Sequence, residues 1–189
     1  MQLIEKRYLF IGVIVFALAG LLVLVLVGIK PGVPRATESL LPEGTSVEMR
    51  EVRGQSLEPL IPEGSEVQLA LDPNYALPIA RGDVVVFRSG NTDAVKIVHG
   101  IPGDKLALKE TGKDTYNILV NDEVVKNSED KPYMVGDSGY RMLSLYINDY
   151  KGVIPANAYL LLGDRPSGSR DSTAFGLVDR SDILGKVIR

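Results

Sequence analysis

The sequence predicts a mainly β fold, an all-β barrel or sandwich-like domain. Three observations carry that reading. From about position 46 onward, short runs rich in β-branched and aromatic residues recur. Turns bearing glycine, proline, asparagine or aspartate separate them. The stretch 46–189 is long enough to bury one packed core.

Ahead of that domain, a short tail at 1–8 leads into an unbroken apolar run at 9–29, LFIGVIVFALAGLLVLVLVGI. At about 1.5 Å rise per residue, roughly 20 such residues span a bilayer core. A cleaved signal peptide, the competing reading, has an apolar region of about 7–15 residues followed by an Ala-x-Ala-like site. This run is longer, and KPGVPRATES follows it without such a site. An uncleaved transmembrane anchor is therefore expected. Charge does not set its orientation, because Lys6 and Arg7 before the run are balanced by Lys30 and Arg35 after it. Residues 30–45, rich in proline, glycine and polar side chains, read as a linker.

Expected strands fall at 46–52, 66–71, 83–88, 94–99, 105–110, 116–120 and 159–163. Between them stand Glu63-Gly64, Arg81-Gly82-Asp83, Ser89-Gly90-Asn91, Pro102-Gly103-Asp104 and Asn121-Asp122. A short helix is expected at 142–150. No repeat or low-complexity tract interrupts the pattern. The net charge of −3 opposes a nucleic-acid partner. The absence of cysteine removes disulfides, thiolate chemistry and Cys-based zinc sites. The single histidine, His99, excludes a multi-histidine metal site, and neither metal nor cofactor is expected.

Three segments carry groups suited to chemistry. Ser56 sits in a loop between Gly54 and Pro59, where fixed backbone angles would hold a serine N–H rigidly. A serine in such company is also ordinary turn chemistry. Lys96 lies in an apolar strand, with Ala94 and Val98 on its own face and Val95 and Ile97 on the other. Partial desolvation there would lower the amine's pKa and let it accept a serine proton; a lysine snorkelling to water from an edge strand is the plainer reading. His99 is the rival base, three residues on and on the opposite face unless a bulge intervenes. Near the end, Gly163-Asp164 and Ser169-Arg170-Asp171-Ser172 form a polar loop, self-bonded or able to orient a base.

Together these segments resemble the bacterial signal peptidase I family. Ser56-Leu-Glu-Pro59-Leu-Ile is similar to its Ser-Met-x-Pro-Thr-Leu box. Arg81-Gly-Asp-Val-Val-Val-Phe87 matches Arg-Gly-Asp-[Ile/Val]-Val-Val-Phe, and Lys96-Ile-Val-His-Gly-Ile-Pro-Gly-Asp104 matches Lys-Arg-Val-Ile-Gly-x-Pro-Gly-Asp. Gly163-Asp164 through Ser169, Asp171, Ser172 and Gly176 matches the last box without a gap. The resemblance implies a coiled β-sheet or partial barrel, 46–189, behind one transmembrane helix. It implies Ser56 as nucleophile and Lys96, rather than His99, as general base. Ser169 would orient the Lys96 amine, Asp171 and Asp164 would hold the loop, and Gly54 takes a position where some relatives carry an oxyanion donor. Leu57, Pro59, Asp93, Ala94 and Val95 are expected to meet substrate, with Leu60 and Ile61 as further apolar contacts at a pocket or a membrane surface. Leu57 replaces a methionine and Thr173 replaces a supporting arginine.

Expected substrates are preproteins with small residues at −1 and −3, bound as an added strand. The expected enzyme is a monomer embedded in membrane lipid, single-pass in the cell membrane, with its catalytic domain on the extracytoplasmic side. Rival readings are a dedicated conjugal-transfer maturation peptidase, a self-cleaving repressor of the SOS type, and an anchored β-domain that binds peptides without cutting them.

Overall fold

Strands dominate from the first described turn. The structure, a computed structural model, describes residues 41–165 and 168–188. The expected tail, the anchor at 9–29 and the linker as far as position 40 lie outside them. Among the described residues no helix is long and apolar enough to cross a membrane.

In chain order the strands are β1 (Ser46–Glu51), β2 (Glu66–Leu71), β3 (Val84–Ser89), β4 (Thr92–Gly100), β5 (Leu106–Gly112), β6 (Thr115–Val120), β7 (Glu123–Val124) and β8 (Met134–Val135). Helix α1 (Asp137–Asp149) follows, then β9 (Ala158–Leu162), the one-turn α2 (Ser172–Phe175), β10 (Val178–Asp179), a 3₁₀ turn (Arg180–Asp182) and β11 (Ile183–Ile188). Seven strands form one antiparallel sheet in the order β1-β2-β11-β3-β4-β9-β10. Four more form a second, in the order β5-β6-β7 with β8 paired to β6. β1 and β10 stand at the large sheet's edges, so neither sheet closes into a barrel among the described residues.

β9 ties the two sheets together because it is buried on both faces. Tyr159 and Leu161 pack with Val85, Phe87, Val98 and Ile183 of the large sheet. Leu160 and Leu162 pack with Ile118, Val135, Leu143 and Ile154 on the other side. Alternation along one strand thus serves two cores, which is why Tyr-Leu-Leu-Leu reads as a continuous apolar run. Truncating Leu161, which is wholly buried, is expected to cost about 2–5 kcal/mol.

Each expected strand is present with ends moved by two residues or fewer. β11 was not expected, yet it sits in the middle of the large sheet between β2 and β3. Gly185 and Lys186 interrupt its apolar pattern. A side chain at Gly185 would collide with the Ala70 carbonyl of β2, and Lys186 Nζ bonds the Pro78 carbonyl at 2.9 Å and Asp83 at 3.0 Å. The helix starts earlier than 142. Its first turn holds Asp137, a favourable charge at a helix N-terminus, and Gly139, which is buried close against Val135 and Thr173.

Candidate active site

The serine loop joins β1 to β2 and is cross-tied at its base. Val52 N–H donates to the Ser65 carbonyl at 2.8 Å, and Gly64 N–H returns to the Val52 carbonyl at 2.8 Å. Inside the loop, Glu58 N–H reaches the Gln55 carbonyl at 3.2 Å and Ile61 N–H reaches the Leu57 carbonyl at 2.9 Å. Leu57 is fully buried against Val84 and Ile97 and anchors the loop on the sheet. Gly54 adopts φ 81°, a conformation that favours glycine. Its N–H donates to the Glu63 carboxylate at 2.8 Å.

Lys96 enters from β4. Its neighbours divide as alternation requires, with Val95 and Ile97 packed towards Leu57 and Ala94 and Val98 in the large-sheet core. The residue is only 4% exposed. Its Nζ lies 2.8 Å from Ser56 Oγ and 2.8 Å from the Val95 carbonyl. Burial pushes the Lys96 pKa down, and the nearby Asp171 charge offsets part of that shift. Lys96 belongs to no ion pair among the described residues. A neutral lysine amine has one lone pair and two N–H bonds. One N–H can serve the Val95 carbonyl while the lone pair receives the Ser56 proton.

His99 is placed differently. The register against β9 slips between Val98 and Gly100, which supplies a bulge at His99. The ring sits edge-on to Tyr133, with centroids 5.2 Å apart. Burial lowers its pKa to about 4, against the pull of Asp164 and Asp171. No hydrogen bond joins it to Ser56, and its buried Nε2 has no partner among the described residues.

The polar segment after β9 wraps both groups. Gly163 is pressed so closely that any side chain would strike the Ser56 carbonyl and the Ser169 side chain. Asp164, fully buried, donates its N–H to the Ser56 carbonyl at 2.7 Å and accepts Leu60 N–H at 3.2 Å. Asp171 accepts from Gly163 N–H at 3.2 Å, from Thr173 N–H at 3.0 Å and from the Thr173 hydroxyl at 2.8 Å. It thereby caps α2. The threonine standing for the family's arginine meets Asp171 as a hydroxyl donor. The Ser169 hydroxyl donates to Asp171, and no hydrogen bond links it to Lys96 among the described residues.

A cleft of about 450 Å³ opens beside the pair, and Ser56, Asp93, Ala94, Val95 and Lys96 line it. Apolar side chains of β2, β3 and β11, among them Leu71, Val86 and Val187, complete its walls. Two expected substrate contacts need correcting. Leu57 is wholly buried under the loop, and exposed Pro59 does not line the cleft. An apolar residue beside a serine reads alike whether it lines a pocket or pins a loop. Leu60 and Ile61 are half-buried on the same small cluster. The sequence did not single out Glu63, Asn127, Ser128 or Tyr133. Their only signals were a glutamate before Gly64 and an Asn-Ser turn.

The chain is similar to several known proteins. A family model described as signal peptidase, peptidase S26, matches residues 10–189. Signal peptidase IB of Staphylococcus aureus (strain Mu50) is 34% identical over 142 residues, covering 72% of this chain and 73% of the relative. A protein called inactive signal peptidase IA, from Staphylococcus aureus (strain COL), is 28% identical over 106 residues, 56% of each chain. A crystal structure of a signal peptidase I from Enterococcus faecalis V583 matches with a TM-score of 0.42 at 21% identity, over 60% of this chain and 98% of that one. With the family model spanning nearly its whole length, this chain belongs to the signal peptidase family, peptidase S26.

Proposed function

We propose that the chain is an active signal peptidase I in which Ser56 is the nucleophile and Lys96 the general base. Family membership alone leaves activity open, because one relative is named inactive. The observation that carries the reading is the 2.8 Å approach to Ser56 Oγ of a buried amine that belongs to no ion pair among the described residues. Desolvation lowers the amine's pKa, which favours the neutral form that a hydroxyl within hydrogen-bond reach requires.

The Ser56 proton passes to Lys96 Nζ as Oγ attacks the scissile carbonyl carbon. The Ser56 N–H, on the cross-tied loop, faces the developing oxyanion. The C–N bond then breaks, the leaving amine takes the proton from Lys96, and an ester remains on Ser56. Water, deprotonated by the same amine, hydrolyses that ester and regenerates the hydroxyl.

The substrate is a preprotein segment in extended form. β4 pairs with β3 from Thr92 onward but with β9 only from Ile97. Its Asp93–Val95 stretch therefore has a free backbone edge along the cleft among the described residues, and a substrate strand would pair there. Small residues at −1 and −3 would let the chain lie close to Ser56. The apolar run at 9–29 would anchor the enzyme in membrane lipid, single-pass, with 46–189 as the peptidase domain on the extracytoplasmic side.

The test is to incubate the full chain in detergent or vesicles with an exported precursor and sequence the new amino terminus. Cleavage after a small residue at −1, abolished in Ser56→Ala, is the expected result. An inert wild-type chain would leave a tethered peptide-binding domain.

A further inference from the structure

Asp164 is a buried carboxylate in no ion pair among the described residues, and it holds the nucleophile's loop. Such a charge is tolerable only where donors satisfy its oxygens. Those donors come from two sides. From the serine loop, Leu60 N–H donates to Oδ2 at 3.2 Å. From the turn between β7 and β8, Ser128 N–H donates to Oδ1 at 2.8 Å and the Ser128 hydroxyl donates to the same Oδ2 that Leu60 uses. The peptide groups on either side of Asp164 are gripped as well. Its N–H holds the Ser56 carbonyl at 2.7 Å, and its carbonyl accepts Asn127 Nδ2–H at 2.9 Å. Asn127 is itself fixed, its Oδ1 accepting Glu129 N–H at 3.0 Å and Lys131 N–H at 2.9 Å.

We propose that Ser128 and Asn127 are positioning residues for Ser56: a turn of the small sheet sets where the nucleophile stands by clamping Asp164. This rests on Ser56 being the nucleophile. Neither residue touches the amine or the hydroxyl. Their effect passes through one carboxylate and one peptide group into the loop that carries Ser56. Without the Ser128 hydroxyl, Oδ2 keeps only the Leu60 N–H at 3.2 Å and Oδ1 the Ser128 N–H, so the carboxylate is held less firmly. The Leu60 and Ser56 contacts then loosen together, and the Ser56–Lys96 distance loses its definition. Misplacement of reacting groups by about 1 Å can lower a rate by roughly a hundredfold.

The test compares kcat and KM of the full chain on a precursor peptide at a temperature where every variant is folded. Ser128→Ala should lower kcat by about ten- to a hundredfold with KM within about twofold of wild type. Ser128→Thr, which keeps the hydroxyl at an exposed position with room for a methyl, should restore kcat. Ile118→Val, in the small sheet's core and in no hydrogen bond to Asp164 among the described residues, should lower Tm and leave kcat unchanged. The clamp is overturned if Ser128→Ala keeps wild-type kcat while Ser56→Ala is dead, or if it loses no more kcat than Ile118→Val. It is also overturned if Ser128→Ala changes KM alone. If Ser56→Ala still cleaves, the nucleophile assignment itself has failed, a result distinct from the others.

Discussion

Ser56 and Ser169 each occupy a polar, glycine-bearing loop, and the fold gives them opposite partners. Ser56 faces an amine whose pKa burial has lowered. Ser169 donates to Asp171, a carboxylate that also caps α2. A lone pair on a desolvated amine can take a hydroxyl proton. The Asp171 carboxylate accepts the hydroxyl's hydrogen bond and holds it in place. The same side chain therefore meets an amine in one loop, where we propose it as the nucleophile, and a carboxylate in the other. The partner comes from a different strand in one case and from two residues along the chain in the other.

The largest expected effect tests the first half of that contrast. Lys96→Ala or Ser56→Ala should reduce kcat on the order of 10⁴-fold or more. The double variant should be no worse than either, because the two act as one unit. Ser169→Ala as damaging as Ser56→Ala would break the contrast.

Asp171→Asn sharpens it. Asparagine caps a helix about as well as aspartate, so Tm should move little. The weaker acceptor loosens Ser169 and Gly163, and kcat should fall about tenfold. The Asp171 charge raises the Lys96 pKa, so removing it should let that pKa fall further. The acid limb of the kcat/KM profile should accordingly move to lower pH. A limb that moves up would contradict the placement of Asp171.

Ser169→Ala should cost less, about threefold to tenfold in kcat, as one strut among several. His99→Gln should affect kcat least, since the imidazole bonds neither reacting group. Its signature is in stability. The imidazole protonates at about 4 in the fold and near its ordinary 6.5 when unfolded. The unfolded chain thus binds the extra proton first, and wild-type stability drains as pH falls from 6.5 towards 4. His99→Gln should lose less stability across that interval in urea melts. A collapse of kcat in this variant would instead make His99 a participant.

Where sequence succeeded and where it did not follows from the range of the interactions. Runs such as Val84–Ser89 declare themselves because alternation and flanking turns are local. β11 does not, because Gly185 is demanded by the Ala70 carbonyl of a strand more than a hundred positions away. Ser56 and Lys96 could each be proposed from a motif, and the burial of Lys96 follows from its apolar neighbours. Leu57 was misread, since its sequence says apolar without saying which way it faces. The bond from the Thr173 hydroxyl to Asp171 and the grip of Asn127 on Asp164 carry no pattern of their own. Each joins short polar residues whose only reason for being there is the geometry of the other partner.

The most direct measurement is the titration of the Lys96 side-chain nitrogen by NMR in the full chain, assigned by its disappearance in Lys96→Met. The amine should titrate clearly below the ordinary lysine value of 10.5, in step with the acid limb of kcat/KM. An amine that titrates at or above 10.5, protonated throughout the active range, would remove the base on which the proposed chemistry depends.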